Sequence, residues 1–199
     1  MLQKLGTICV QETGAIEAIG HKVVALSHTE GKITANQIRN KCAEYWNNKG
    51  RVHITQPKLV FITHSTELGT IYKRSELQEI SNTCKELDLY LYLDGARLGY
   101  RLYAEDSDMD LPFVAECYDA FYIGGTKQGT LLGEAMVIKN PELNYDFKSI
   151  MKQKGGGLLA KGRLLGLQFI ALFEDDLYAD LSKYANEKAS LIRDALSKK

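Results

Sequence analysis

Two short apolar runs within residues 89–127 constrain this chain more than any other feature, because each ends in a polar tip beside glycine. The first, LYLYL at 89–93, runs into Asp94-Gly95-Ala96-Arg97. The second, AFYI at 120–123, runs into Gly124-Gly125-Thr126-Lys127. Runs rich in Tyr, Leu and Ile between turn signals read as buried parallel strands. In open α/β sheets, ligands bind beyond the carboxyl ends of the strands. An acid, an arginine and a lysine are therefore expected at one sheet edge, on neighbouring tips.

Those three groups permit a specific chemistry. A lysine amine condenses with an aldehyde to a Schiff base. An aspartate holds a pyridinium nitrogen protonated, which makes the ring an electron sink. An arginine grips a carboxylate with a bidentate fork. The set suits pyridoxal phosphate and an amino-acid substrate. Taken singly, each residue has an ordinary reading as a solvated lysine, an Asp-Gly turn or a surface ion pair. The joint pattern of strand, Asp-x-Ala-x, crossover, strand and small-small-Lys carries the inference.

The chain resembles the threonine aldolase and β-eliminating lyase group of fold-type I pyridoxal phosphate enzymes. The stretches that carry the resemblance are ETGAIEAIGHKV (12–23), STELGTIY (65–72), YLDGARLGY (92–100), FYIGGTKQGTLLGEAMVI (121–138) and KQKGGGLLAKGRLLGLQF (152–169). The resemblance implies a three-layer α/β fold, a mostly parallel sheet with helices on both faces. It implies that Lys127 holds the cofactor, Asp94 pairs with the pyridine nitrogen, Ala96 lets the ring lie against the backbone, and Arg97 binds the substrate carboxylate. Thr126 would hydrogen-bond the phosphate. Glu67 is the expected base for the β-hydroxyl proton, with His64 either a second candidate or a strand-end histidine bonded to backbone. Thr7 stands where the family has a histidine stacked on the ring, a position at which threonine offers no π face. Lys152 and Lys161 are candidates to reach a neighbouring subunit's phosphate.

The implied reaction is cleavage of a β-hydroxy-α-amino acid to glycine and an aldehyde. The same motifs serve β-elimination, and a non-catalytic truncated remnant is the third reading. The family is longer at both ends. Residues 1–157 are therefore expected to be a partial large domain, and 158–199 a long helical segment leading toward an absent small domain. A homodimer or homotetramer is expected from the same resemblance.

The 199 residues carry 25 Lys+Arg against 25 Asp+Glu. That balance argues against nucleic acid as a partner. No run reaches the length of a membrane span, and no secretion signal begins the chain, so a cytoplasmic protein is expected. Cys9, Cys42, Cys84 and Cys117 are scattered without a CxxC pair, and the four histidines form no HxxxH pattern. Neither a zinc site nor a disulfide is expected.

The remaining pattern predicts strands at 6–10, 21–26, 58–63 and 135–138. Helices are predicted at 13–19, at 34–49 capped by Thr34, at 75–87 capped by Ser75, and at 111–116 with Pro112 in the first turn. A helix at 140–151, a break at Gly155-Gly156-Gly157 and one long helix over 158–198 complete the reading. Alternating strands and helices predict parallel βαβ units with right-handed crossovers.

Overall fold

The computed structural model describes residues 1–154 and 160–197. In chain order the elements are β1 (Leu2–Gln3), α1 (Thr7–Val10), α2 (Ala15–Ala18), β2 (Ala25–Leu26), α3 (Ala35–Trp46), β3 (Leu59–Thr63), α4 (Arg74–Glu86) and β4 (Tyr90–Asp94). They continue with α5 (Leu98–Leu102), α6 (Leu111–Cys117), β5 (Ala120–Ile123), β6 (Ala135–Ile138), α7 (Phe147–Gln153), α8 (Arg163–Phe173) and α9 (Leu177–Ser197). The fold is mixed α/β with mostly parallel strand pairing, and it divides into two compact units: Met1–Asp94 with Met109–Asp119, and Gly95–Asp108 with Ala120–Lys199. The expected domain boundary at 157/158 and the expected triple-glycine break lie outside the described residues.

In the first unit β1 pairs with β2 in parallel, Leu2 opposite Ala25. Met1 joins this ladder to β3 by accepting from the Phe61 N–H at 2.8 Å. β3 and β4 are parallel over five pairs, from Leu59 opposite Tyr90 to Thr63 opposite Asp94. Alternate residues Val60, Ile62, Leu91 and Leu93 are buried, as the period of two requires. α3 begins where the Thr34 side chain accepts from the Gln37 N–H and Gln37 reciprocates to the Thr34 N–H, a capping box that satisfies two terminal donors. Its Ile38 and Cys42 are buried, as are Leu77, Ile80 and Cys84 of α4. Each fully buried Ile or Leu contributes about 1.5–3 kcal/mol relative to exposure. α6 is capped by Asp110, which accepts from the Phe113 N–H at 2.9 Å. It is tied to α4 by the Ser81 hydroxyl donating to the Cys117 carbonyl at 2.8 Å.

That core holds three of the four free thiols. Burial pushes the Cys84 thiol up to about 12 and Cys117 to about 11, and raises Cys42 as well. Cys9 is only half-buried. Since the thiolate is the nucleophile, a thiol-reactive chromophore at about pH 8 should label Cys9 alone in the native protein. The other three should react only in denaturant. Labelling of Cys84 without denaturant would show that the α3–α4 core is open.

In the second unit β5 and β6 pair antiparallel, from Ala120 opposite Ile138 to Ile123 opposite Ala135. This corrects the parallel arrangement predicted for 135–138. The connection over 124–134 contains no helix, and a parallel return needs a crossover of a dozen or more residues. The predicted single helix over 158–198 is two, α8 and α9. They are separated at Glu174–Asp176, where Asp175 and Asp176 adopt left-handed backbone at φ 50° and 58°. The predicted helix at 140–151 is a short 3-10 turn at Pro141–Asn144 followed by α7, with Asp146 left-handed at φ 51° between them.

Two corrections concern the start of the chain. The strand predicted at 6–10 is the helix α1, and the first strand is Leu2–Gln3. The Gly6 N–H bonds back to the Gln3 carbonyl at 2.9 Å, a turn that ends the strand before the apolar Ile8–Val10 triplet is reached. The strand predicted at 21–26 shortens to Ala25–Leu26, since its partner β1 has only two residues to pair. The cap of α4 lies two residues earlier than expected, at Lys73 rather than Ser75. There the Glu76 carboxylate accepts the Lys73 N–H at 2.7 Å. No helix among the described residues is long and apolar enough to cross a membrane. Among those residues no cluster of His, Cys, Asp or Glu could hold a metal ion.

Candidate functional site

In the first unit the site residues gather at the carboxyl ends of β3 and β4. Asp94 is the last residue of β4, paired with Thr63, and its carbonyl accepts the His64 N–H at 3.2 Å. It is half-buried. Two residues earlier on the same strand face, the Tyr92 phenol is pushed up to about 12, first by burial and then by the charge of Asp94. This is the sheet edge at which ligands bind in open α/β folds.

His64 is 1% exposed. Its Nε2 accepts the Tyr72 N–H at 3.1 Å, and its ring stands edge-on to the Tyr72 ring with centroids 5.4 Å apart. Tyr72 in turn accepts the Ile33 N–H at 2.9 Å, and burial raises its phenol. His64 thus anchors the returning loop to the core through main-chain and ring contacts.

Glu67 lies three residues further on and is exposed. Its Oε1 accepts the Thr7 N–H at 2.8 Å, the Thr7 hydroxyl at 3.4 Å and the Thr63 hydroxyl at 3.1 Å. Its Oε2 accepts from Gln3 Nε2 at 3.1 Å. The structure therefore brings Thr7 and Glu67 together, and adds Gln3 and Thr63, which nothing in the sequence singles out. A carboxylate is acceptor-only and suits four donors. In Glu67→Gln one amide NH2 must face a donor. The variant should lose about 1 kcal/mol of stability, read as a lower denaturant midpoint. If Glu67 is also the base, turnover should fall on the order of 10²–10⁴-fold. Unchanged turnover would remove Glu67 from the chemistry.

In the second unit two chain tips meet backbone to backbone. The Gly124 N–H donates to the Gly95 carbonyl at 2.9 Å. A Cβ on Gly95 would lie 1.9 Å from the Tyr122 carbonyl oxygen, and one on Gly124 would lie 2.3 Å from that of Ala96. Only glycine permits this approach. The contact sets the segment bearing Ala96 and Arg97 against the segment bearing Thr126 and Lys127. Arg97 and Lys127 are both exposed, and among the described residues the Lys127 ammonium makes no ion pair. Tyr100 donates its hydroxyl to the Lys127 carbonyl.

Glu134, at the foot of β6, closes the lysine loop. Its carboxylate accepts the Gly125 N–H and, at 2.9 Å, the Thr126 hydroxyl. The sequence marks Glu134 only as a strand start. The Thr126 proton expected to serve a phosphate is thereby engaged. Gln168 of α8 holds the loop tip, accepting the Leu131 N–H at 2.7 Å and donating to the Leu132 carbonyl at 3.2 Å. Lys152 lies exposed on α7, and Lys161 exposed before α8. Among the described residues, neither has a hydrogen bond or ion pair that ties it to the lysine loop.

The donor set fits pyridoxal phosphate at its ring end. The second unit carries the exposed Lys127 amine, without an ion pair among the described residues, and the exposed Arg97 guanidinium, and the first unit carries the strand-end carboxylate of Asp94. The Gly125 N–H and the Thr126 hydroxyl are both given to Glu134, so neither is free to serve a phosphate.

Comparison with known proteins is consistent along the whole chain. A family model described as beta-eliminating lyase matches residues 1–198. A low specificity L-threonine aldolase from Pseudomonas aeruginosa is 34% identical over 189 residues, 94% of this chain and 53% of that protein. One from another Pseudomonas strain is 35% identical over 184 residues, 91% and 51%. The solved structure of Leishmania major threonine aldolase matches with a TM-score of 0.93 at 43% identity, covering 99% of this chain and 56% of that one. An aspartate aminotransferase from Thermus thermophilus shares the fold, with a TM-score of 0.70 at 16% identity over 95% of this chain and 47% of its own. The chain spans about half the length of the curated relatives it matches.

Proposed function

The chain belongs to the beta-eliminating lyase family, and from that premise we propose that it is the core of a pyridoxal phosphate-dependent carbon–carbon lyase. The protein would cleave a β-hydroxy-α-amino acid reversibly to glycine and an aldehyde. The observation that carries the reading is the glycine-mediated meeting of the Arg97 and Lys127 tips, with Asp94 three residues before Arg97 in the sequence.

Lys127 would hold the cofactor through its amine, and Asp94 would keep the ring nitrogen protonated. Ala96 would lie under the ring, and Arg97 would fix the substrate through its α-carboxylate. When bound, pyridoxal phosphate supplies an electron sink for the pair left at Cα. Glu67 takes the proton from the β-hydroxyl; its exposed carboxylate is better suited to this than the buried His64 imidazole. The O–H pair becomes the aldehyde C=O as the Cα–Cβ bond breaks, and a proton returned to Cα completes glycine. Arg97, holding the carboxylate, sets which Cα bond stands in the reactive orientation.

We include self-association in the proposal. Leu164, Leu167, Ile170 and Phe173 of α8 are exposed, and apolar patches of this kind mark association surfaces. Lys152 and Lys161 would then be placed to reach a second copy's phosphate. All four cysteines stand as free thiols, which favours a reducing compartment such as the cytoplasm.

The test is product analysis on the intact protein with pyridoxal phosphate. L-threonine should yield glycine and acetaldehyde in equal amounts. A 2-oxo acid and ammonia instead would assign β-elimination, and neither product pair would overturn the reading.

A further inference from the structure

We infer that Gln128 is a positioning residue that fixes Arg97 against Lys127 and so sets how tightly the protein grips an α-carboxylate; the inference rests on the function proposed above. Gln128 follows Lys127 directly and is 3% exposed. Its Oε1 accepts the Gly99 N–H at 3.2 Å and the Tyr178 hydroxyl at 2.9 Å. Its Nε2 donates to Ser182 Oγ at 3.0 Å. The Ser182 proton is committed to the Tyr178 carbonyl at 2.7 Å, so the serine oxygen presents lone pairs to the amide. Each partner thus accepts what the other gives, and only an amide of this length satisfies all three.

The first turn of α5 is what this network holds. Gly99 is two residues beyond Arg97, and a Cβ there would lie 2.0 Å from Gln128 Nε2. No side chain can stand between the two segments. A second tie lies one residue on, where Tyr100 donates to the Lys127 carbonyl. Behind them α9 is the fixed wall, with Tyr178 and Ser182 buried on it. Asn186, one turn further along, donates to the Tyr100 carbonyl at 2.8 Å and the Tyr103 carbonyl at 3.0 Å. The residue that would bind the carboxylate and the residue that would bind the amine end are therefore held to one buried amide. An error of about 1 Å between two working groups costs on the order of 10²-fold.

A purely structural role would weaken the grip on every amine alike. A positioning role weakens only the grip on the carboxylate. Gln128→Met keeps volume and removes the network; Tyr178→Phe removes a single hydrogen bond from it. The intact protein and both variants are loaded with pyridoxal phosphate and titrated with glycine and with ethylamine, which lacks the carboxylate. The readout is the change in cofactor absorbance, with thermal melting measured alongside. Gln128→Met should weaken glycine about tenfold or more while ethylamine stays within about twofold, and Tyr178→Phe should move the glycine-to-ethylamine ratio the same way by less. Should Gln128→Met fail to fold, the ratio in Tyr178→Phe decides. An unchanged ratio in folded, cofactor-loaded variants overturns the positioning role alone. Absence of any cofactor signal in the unaltered protein overturns the functional reading and this inference with it.

Discussion

Lys127→Ala should abolish the borohydride-trapped adduct with pyridoxal phosphate and all turnover with it, while Asp94→Asn should keep the adduct and lose turnover. The first expectation follows from the lysine's setting. The Lys127 ammonium is exposed, makes no ion pair among the described residues, and sits on a loop whose main chain is fixed by Glu134 and Tyr100. An amine so placed is available to an aldehyde, and no neighbouring lysine shares the loop. The second follows from charge. Asparagine fills the space of Asp94 without its negative charge, so the ring nitrogen loses the partner that keeps it cationic. Removing one such fixed electrostatic group costs on the order of 10²–10³ in rate. Peptide mapping of the reduced adduct reads the first result and a glycine assay the second. An adduct on another lysine would remove Lys127 from its role, and full turnover in Asp94→Asn would remove Asp94 from its own.

Gly95→Ala should be among the most destabilising single-methyl additions this chain can take. The added Cβ would meet the Tyr122 carbonyl oxygen at 1.9 Å. That oxygen belongs to β5, whose main chain is laddered to β6, so it cannot swing aside as the end of a flexible side chain would. Overpacking of this kind costs about 3 kcal/mol at the upper end of its usual range. For a chain of this size that lowers Tm by roughly 6–12 °C. Gly166→Ala is the contrast. Gly166 sits inside α8 with nothing within 4 Å of a built Cβ, and alanine there should add about 0.5–1 kcal/mol. Thermal melts of the two variants should move in opposite directions. A neutral Gly95→Ala would show that the two tips do not meet as described.

The parts legible in the sequence are those written in local chemistry. The polar tips after LYLYL and AFYI follow from turn residues and strand composition. The Thr34 cap and its helix follow from one motif read within four residues. The network around Lys127 follows from nothing local. Gln128 finds Ser182 across 54 positions, and a single buried amide leaves no periodic trace; in the first unit, separately, Gln3 finds Glu67 across 64. The direction of β6 turns on the short 124–134 connection, which holds no helix and is too brief for a parallel crossover. The break between α8 and α9 rests on Asp175 and Asp176 adopting left-handed backbone, a conformation aspartate tolerates but does not announce. Glycine was visible at 95 and 124, while its reason was not. Two carbonyl oxygens from other strands and turns stand where a methyl would be.

The hold of Glu134 and Gln168 on the lysine loop has a practical use. Glu134 pins the near end at Gly125 and Thr126, and Gln168 pins the tip through the Leu131 amide and the Leu132 carbonyl. Every one of these ties except the Thr126 hydroxyl is to main-chain atoms. The side chains at the tip are spectators to the loop's shape, with Leu131 91% exposed and Leu132 52%. A combinatorial library confined to those two positions can therefore vary size, charge and polarity on a backbone that stays put. Lys127 would keep its place throughout, and the selection would report on the chemistry of the tip alone.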